Sequence, residues 1–188
     1  MRHTLVIVPG VDNSGPGHWQ TLLEHSIAGA VRVEQEDWSW PVRQDWVTGL
    51  ADTLAGIEGH LLLVAHSAGA VTVAAWAAAS KGGDVDRVLG ALLVAPPDFE
   101  TEVEGGLPLD LLEDSGWVPA PRRALPFPSI VVASTNDPYA SIERAEGLAR
   151  DWGSRFVRLE GAGHINADAG FGAWPLAEEL VAELLAQA

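Results

Sequence analysis

Cysteine is absent from this chain of 188 residues. Without a thiol the protein forms no disulfide, has no thiolate nucleophile and offers no sulfur ligand to a metal. The sequence also lacks the His-Glu-x-x-His spacing of a zinc site. We therefore expect no metal and no other cofactor, and any nucleophile must be another side chain.

Positive charge is scarce as well. The chain has 11 Lys and Arg against 26 Asp and Glu, a formal net charge of −15. Nucleic-acid binding needs clustered Lys and Arg that displace counterions, and an anionic bilayer repels so acidic a chain. We expect neither a nucleic acid nor a membrane as partner.

Long apolar runs are missing. The longest, Val73 to Ala79, is far below the roughly 18 residues of a membrane-spanning helix, and the first ten residues lack the apolar region of a signal peptide. A cytoplasmic location is therefore expected. The hydrophobic fraction of 47% and the charged fraction of 20% are those of a globular protein, and the length predicts a single domain over residues 1–188.

Short β-branched apolar runs alternate with helical patterns along the chain. This alternation predicts an α/β fold with a mostly parallel sheet of about six strands and helices on both faces. Residues 98–128 break the rhythm, because they contain no convincing strand and seven acids lie in 98–114. A long connection of this kind predicts an acidic, lid-like insertion. The strand candidates are Leu5–Val8, Val31–Val33, Leu61–Ala65, Leu89–Val94, Ile130–Ala133 and Phe156–Leu159.

The third predicted strand leads into a serine and then into an alanine-rich helix. The segment reads Ala65-His66-Ser67-Ala68-Gly69, close to the Gly-x-Ser-x-Gly pattern in which a sharp turn lifts a nucleophilic serine above the sheet. The flanking positions need small residues, since the turn brings two backbones together. Ser67 is therefore the candidate nucleophile, although a serine that only caps the helix is the alternative. His66 is expected to point away from Ser67.

Two further residues follow later strands. Asp137 comes just after the fifth predicted strand and His164 lies on a glycine-rich loop after the sixth. The order Ser, Asp, His is that of α/β hydrolases, and the carboxyl ends of parallel strands meet at one edge of the sheet. We predict that His164 is the general base and that Asp137 orients its imidazole. Asp98, which follows the fourth strand, is the alternative acid.

The loop after the first strand is expected to complete the site. In this fold one oxyanion donor is the N–H of the residue after the nucleophile, here Ala68, and the other comes from that first loop. Gly10 lets this loop turn closely, so the N–H of Val11 is the candidate, with Asp12 next. His18 either lines the pocket or only begins a helix. The residues that we expect in the pocket are Asp12, Asn13, His18, Trp38 and Trp40.

These motifs, with several others, resemble those of the small serine hydrolases related to retinoblastoma-binding protein nine, including their YdeN-like bacterial members. The resemblance spans essentially the whole chain and implies a compact α/β-hydrolase fold, the triad Ser67, Asp137 and His164, and esterase-like or amidase-like activity. The family often has leucine where this chain has Ala68. Because the chain has no cysteine, it lacks a Leu-x-Cys-x-Glu motif, and a retinoblastoma-type partner is not expected. The further matching segments are residues 13–20, 37–41, 93–98, 125–129, 134–139 and 161–166.

The sequence therefore predicts a cofactor-free serine hydrolase, carboxylesterase-like or amidase- or peptidase-like, that cleaves a small ester or amide through an acyl-enzyme. Small acyl groups are expected, because the chain offers little lid beyond residues 98–128. The alternative is a non-catalytic protein-interaction module on the same fold that presents aromatic surfaces such as Trp38, Trp40 and Trp117.

Overall fold

A computed structural model describes residues 3–187 and places six strands in one sheet. The strands are β1 (His3–Val8), β2 (Val31–Arg32), β3 (His60–His66), β4 (Val88–Val94), β5 (Ser129–Ser134) and β6 (Arg155–Leu159). Their order in the sheet is β2-β1-β3-β4-β5-β6, and each neighbouring pair is parallel. The sequence prediction of a six-stranded α/β fold is confirmed.

Helices cover both faces of the sheet. They are α1 (Trp19–Ser26), α2 (Arg43–Ala55), α3 (Ala68–Ala79), α4 (Leu109–Asp114), α5 (Ile142–Trp152) and α6 (Pro175–Ala186). Helices α2, α3 and α5 pack on one face and α1 and α6 on the other. A single turn of 3-10 helix, Gly83–Arg87, precedes β4. Within residues 3–187, no helix combines the length and the apolar character needed to cross a bilayer.

The apolar runs of the central strands follow from this layering. In β1, Val6 and Val8 contact the core under α2 and α3, whereas Leu5 and Ile7 contact the core under α1 and α6. A strand covered on both faces has no side that favours polar residues. Helix α3 is buried over ten of its residues, which explains why it is apolar all round.

The insertion, residues 98–128, contains the short helix α4 and no strand. Arginine side chains fasten it to α5. Arg144 on α5 binds the carboxylate of Asp98 through two hydrogen bonds of 2.8 Å and that of Glu100 through one of 2.8 Å. Arg122 bridges Glu100 to Asp151. The two ends of the insertion are therefore tied to one helix, and its lid-like role stays a prediction.

Four fully buried tryptophans connect distant segments. Each side chain is at most 1% exposed, and each indole N–H donates a hydrogen bond of 2.7–3.0 Å to a backbone carbonyl elsewhere in the chain. A buried indole N–H needs such a partner. These bonds hold loops that regular secondary structure leaves free. They run from Trp19 to Ile165, from Trp46 to Asp37, from Trp117 to Pro41 and from Trp152 to Pro121.

Candidate active site

Ser67 lies at the sharp turn between β3 and α3. Its φ of 54° and ψ of −128° are strained for a residue with a side chain. The Ser67 N–H donates to the carbonyl of Val94 at 2.9 Å and so ties the turn to β4. This strand, turn and helix arrangement is the geometry of a nucleophile elbow, in which the hydroxyl stands above the carboxyl edge of the sheet.

Two glycines allow the backbone to close around Ser67. A Cβ atom on Gly69 would lie 2.3 Å from the carbonyl oxygen of Val8, and one on Gly10 would lie 2.7 Å from Cβ of Ser67. Neither distance is tolerated by a real side chain, so both positions require glycine for close approach. The loop after β1 is therefore pressed against the serine turn.

His164 contacts a carboxylate directly. Its Nδ1 lies 3.0 Å from each carboxylate oxygen of Asp137, and the two side chains are 8% and 3% exposed. Asp137 also accepts the backbone N–H of Tyr139 at 2.9 Å, and the Tyr139 ring packs edge-on against the imidazole. An Nδ1–H that donates to a carboxylate leaves Nε2 as the nitrogen that can accept a proton.

The loop that carries His164 is held by the loop after β5. Three consecutive side chains, the last of β5 and the first two after it, accept hydrogen bonds from three consecutive backbone N–H groups of the His164 loop. Since both loops start at neighbouring strand ends, these bonds fix the position of the imidazole relative to Asp137. The pairs are Thr135 Oγ1 with Gly161 at 3.0 Å, Ser134 Oγ with Ala162 at 2.8 Å and Asn136 Oδ1 with Gly163 at 2.7 Å.

The carboxylate of Asp98, the alternative acid, is bound by side chains other than His164. Its carboxylate accepts two hydrogen bonds from Arg144 and one from Thr101. Burial alone would raise the pKa of Asp98, but these hydrogen bonds outweigh it and the pKa lies below its usual value. The structure therefore pairs His164 with Asp137, and Asp98 with an arginine.

The candidate oxyanion donors differ in availability. The N–H of Asp12 donates to the carbonyl of Trp38 at 2.9 Å, so this group is already used. Within residues 3–187, the N–H groups of Val11 and Ala68 donate to no carbonyl. Val11 follows Gly10, which touches Ser67, and Ala68 begins α3. These two N–H groups remain the predicted donors.

His66 and His18 form a row with His164. The His66 ring lies 4.8 Å from each of the other two ring centres, and its Nε2–H donates to the backbone carbonyl of His164 at 2.9 Å. Burial and the nearby imidazoles lower the pKa of His66 well below its ordinary value. His66 also lines the cavity, and the expectation that it points away from Ser67 stays a prediction. In the described part of the chain, no three His, Cys, Asp or Glu side chains are placed to hold a metal ion.

His18 has both of the roles that its position in the sequence suggested. It caps α1, since its Nδ1 accepts the N–H of Gln20 at 3.1 Å, and it lines the cavity. Burial first, then the charges of Arg32 and His164, lower the pKa of His18 to about 4. The ring is therefore neutral near pH 7, as an acceptor nitrogen requires.

Acid should destabilise the fold through His18. The unfolded residue binds a proton below about pH 6.5 and the folded one only near pH 4, so stability that is complete above pH 6.5 is lost as the pH falls toward 4. We expect this residue to account for a loss of about 2 kcal/mol between pH 7 and pH 5. Urea unfolding of the wild type and of His18→Asn, which keeps a capping acceptor without titrating, measures the difference.

The control for this prediction is His25→Asn, because His25 is exposed on the same helix. That variant should lose as much stability as the wild type between the two pH values. An equal loss in His18→Asn and in the wild type would contradict the prediction.

One cavity of about 530 Å³ gathers most of these groups. Ser67, His164, His66 and Tyr139 line it, together with residues from the loop after β1 and from the insertion. In residues 3–187 no hydrogen bond joins Ser67 to the His164 ring; in ligand-free enzymes such bonds are often long and tighten when substrate binds.

The residues expected in the pocket divide into two groups. Asp12, Asn13 and His18 line the cavity, whereas Trp38 and Trp40 do not. Trp38 packs against Trp46 with its ring centre 5.8 Å away, and Trp40 is 61% exposed because it follows a turn in which Asp37 accepts the N–H groups of residues 39 and 40. Trp117 is completely buried, so it presents no aromatic surface to a partner.

Comparison with known families gives a match over nearly the whole chain. The family described as serine hydrolase matches residues 5–183. Among curated proteins, none matches the chain.

Solved structures show the same fold. A protein described as a YdeN-like hydrolase from Pectobacterium atrosepticum is 29% identical, with a TM-score of 0.83 over 97% of this chain and 90% of that one. The ydeN gene product of B. subtilis is 17% identical, with a TM-score of 0.77 over 99% of this chain and 100% of that one. Est1E from Butyrivibrio proteoclasticus, solved with ferulic acid bound, is 13% identical, with a TM-score of 0.71 over 98% and 88%. The last two likenesses concern the fold alone.

Proposed function

This chain belongs to the serine hydrolase family, and on that premise we propose that it cleaves an ester or amide bond of a small molecule through an acyl-enzyme, as a carboxylesterase-like or amidase-like enzyme. Ser67 is the nucleophile, His164 the general base and Asp137 the residue that orients the imidazole. One observation carries the proposal: the strained turn at Ser67 shares a cavity with the imidazole of His164, whose Nδ1 is bound by the buried carboxylate of Asp137.

The first half of the reaction forms the acyl-enzyme. Ser67 Oγ attacks the substrate carbonyl carbon while Nε2 of His164 takes the hydroxyl proton. The carbonyl oxygen becomes an oxyanion, which the N–H groups of Val11 and Ala68 stabilise. The tetrahedral intermediate then collapses: the bond to the leaving oxygen or nitrogen breaks, and His164 gives that atom the proton.

The second half releases the acid. A water molecule takes the place of the leaving group, and His164 removes one of its protons as the oxygen attacks the acyl carbon. The second tetrahedral intermediate expels Ser67 Oγ, which recovers its proton from His164. Asp137 stays ionised throughout and stabilises the imidazolium that forms twice per turnover. The cycle balances with water as the only co-reactant.

Covalent labelling tests the proposal. A fluorophosphonate probe should add to the wild-type protein once, and peptide mapping should place the adduct on Ser67, because only an activated serine displaces fluoride from phosphorus. Ser67→Ala should not be labelled, whereas Ser80→Ala, at the far end of α3, should be labelled like the wild type. A wild-type protein that stays unlabelled would contradict catalysis and favour the non-catalytic interaction module.

A further inference from the structure

The cavity has two walls of different chemistry. One wall is polar and comes from the loop after β1 and from the loop that carries His164; its side chains include Asp12, Asn13, His18, Asn166 and Asp168. The second surface is apolar and lies largely on the insertion, which also brings the polar side chains of Asp98 and Thr101 to the cavity. The side chains of this second surface, hereafter the apolar wall, are Val11, Pro97, Phe99, Val103, Leu107 and Leu112.

The apolar wall is part of a packed cluster rather than a loose loop. Phe99 and Leu112 are 6% and 2% exposed and pack in one cluster with the first turn of α3, where Ala68 and Val71 lie. The Phe99 ring also lies edge-on to Trp117, with ring centres 5.3 Å apart. The wall is therefore built directly beside Ala68, the residue that follows the nucleophile.

Charged side chains attach the apolar wall to the rest of the protein. Arg144 holds Asp98, the residue before Phe99, and also holds Glu100, the residue after it. The carboxylate of Glu100 in turn accepts the N–H of Ala120 at 3.1 Å, which lies beyond α4. These charged hydrogen bonds fix the chain on both sides of Phe99 and just beyond α4.

The direction of proton transfer indicates which wall contacts the leaving group and which contacts the acyl group. His164 has to protonate the leaving group, so the leaving group lies beside the His164 loop, on the polar wall. The acyl group is on the other side of the reacting carbon, beside Ala68. We infer that the apolar wall is an acyl subsite and that the substrate class is esters of aliphatic acids of medium chain length with a polar leaving group. This inference rests on the proposed function.

The size of the cavity agrees with this substrate class. A volume of about 530 Å³ lies within the usual range for small-molecule sites, roughly 300–1,000 Å³. An acetyl group would leave most of the apolar wall in contact with water. Each methylene that the wall removes from water should raise kcat/KM by up to about fourfold. The small acyl groups expected from the sequence are therefore poor candidates for the preferred substrate.

Acyl chain length tests the inference. We would measure kcat/KM for p-nitrophenyl esters from acetate to octanoate with the wild type and with Leu107→Ser, which removes part of the wall at a half-buried position. The wild-type value should rise with chain length, and the ratio of octanoate to acetate should fall about tenfold in Leu107→Ser. Leu109→Ser is the matched control, because Leu109 is also half-buried and lies two residues further on but does not line the cavity; its ratio should equal that of the wild type.

A variant that reduces the volume of the acyl subsite provides a second test. Val103→Phe should shift the optimum to shorter chains, since the added ring takes up space in the acyl subsite. A wild-type profile that is flat or falls with chain length, with hydrolysis that still depends on Ser67, would overturn the acyl subsite and leave the proposed function standing. Equal changes of the ratio in Leu107→Ser and Leu109→Ser would also overturn it. If no ester is hydrolysed, the acyl subsite is overturned, and fluorophosphonate labelling of Ser67 decides whether the proposed function fails as well.

Discussion

Replacing Ser67 with alanine is expected to lower kcat on p-nitrophenyl esters by about 10⁴-fold or more. In the proposed mechanism the substitution removes the atom that forms the acyl-enzyme, so only binding and the oxyanion donors remain to assist attack by water. The residual rate should still exceed that of the uncatalysed reaction in the same buffer, because binding and the oxyanion donors continue to act. Steady-state turnover with a good chromogenic ester measures the loss directly.

The folded state should tolerate this change. Within residues 3–187 the Ser67 hydroxyl makes no hydrogen bond to the protein, and its backbone N–H still reaches Val94 when the side chain is alanine. Alanine adopts the strained φ of 54° no less readily than serine. The thermal midpoint of Ser67→Ala should therefore lie within about 3 °C of the wild type, which corresponds to about 1 kcal/mol or less. Turnover above about a tenth of the wild-type rate would show that Ser67 is not the nucleophile.

The second large effect separates the two candidate acids. Asp137→Asn should lower kcat by about 10⁴-fold. A carboxylate can only accept a hydrogen bond from Nδ1–H of His164, whereas an amide can also donate one, so the variant no longer holds the tautomer with Nδ1 protonated. Measuring kcat and the unfolding free energy for the same preparation distinguishes a catalytic defect from a folding defect.

Asp98→Asn is the matched comparison for Asp137→Asn. The side chains of Asp98 and Asp137 are 5% and 3% exposed, but the partner of Asp98 is Arg144 rather than His164. Its substitution should lower the unfolding free energy by about 1–3 kcal/mol and lower kcat by no more than about tenfold. The opposite pattern, with Asp98→Asn nearly inactive and Asp137→Asn active, would exchange the assigned roles.

The sequence predicts the fold well because its signals are local. The apolar run of β3 and the apolar helix α3 are each contiguous in the chain, and both form as predicted. Residues that follow strand ends are also predictable in position, since parallel strands deliver their carboxyl ends to one edge. That rule is enough to bring Asp137 and His164 together, although 26 residues separate them in the sequence.

Other parts of the site depend on contacts that no local pattern contains. The hydrogen bond from His66 to the His164 carbonyl joins residues 98 positions apart, and its existence depends on how two loops pack. Trp40 was expected in the pocket because it follows β2, but the turn at Asp37 leaves it in solvent. The apolar wall is not predictable from the sequence either, because the acidic composition of the insertion gives no sign that its few apolar side chains line the cavity.

The buried tryptophans have a consequence for a chain without cysteine. Small proteins often crosslink their loops with disulfides, whose integrity depends on the redox potential of the surroundings. Here the corresponding attachments are hydrogen bonds from indole N–H groups, including the bond from Trp19 to Ile165 beside His164. Neither reductants nor mild oxidants of thiols act on such a bond. Each attachment can also break and re-form on its own, so the loops around the cavity are restrained individually and reversibly.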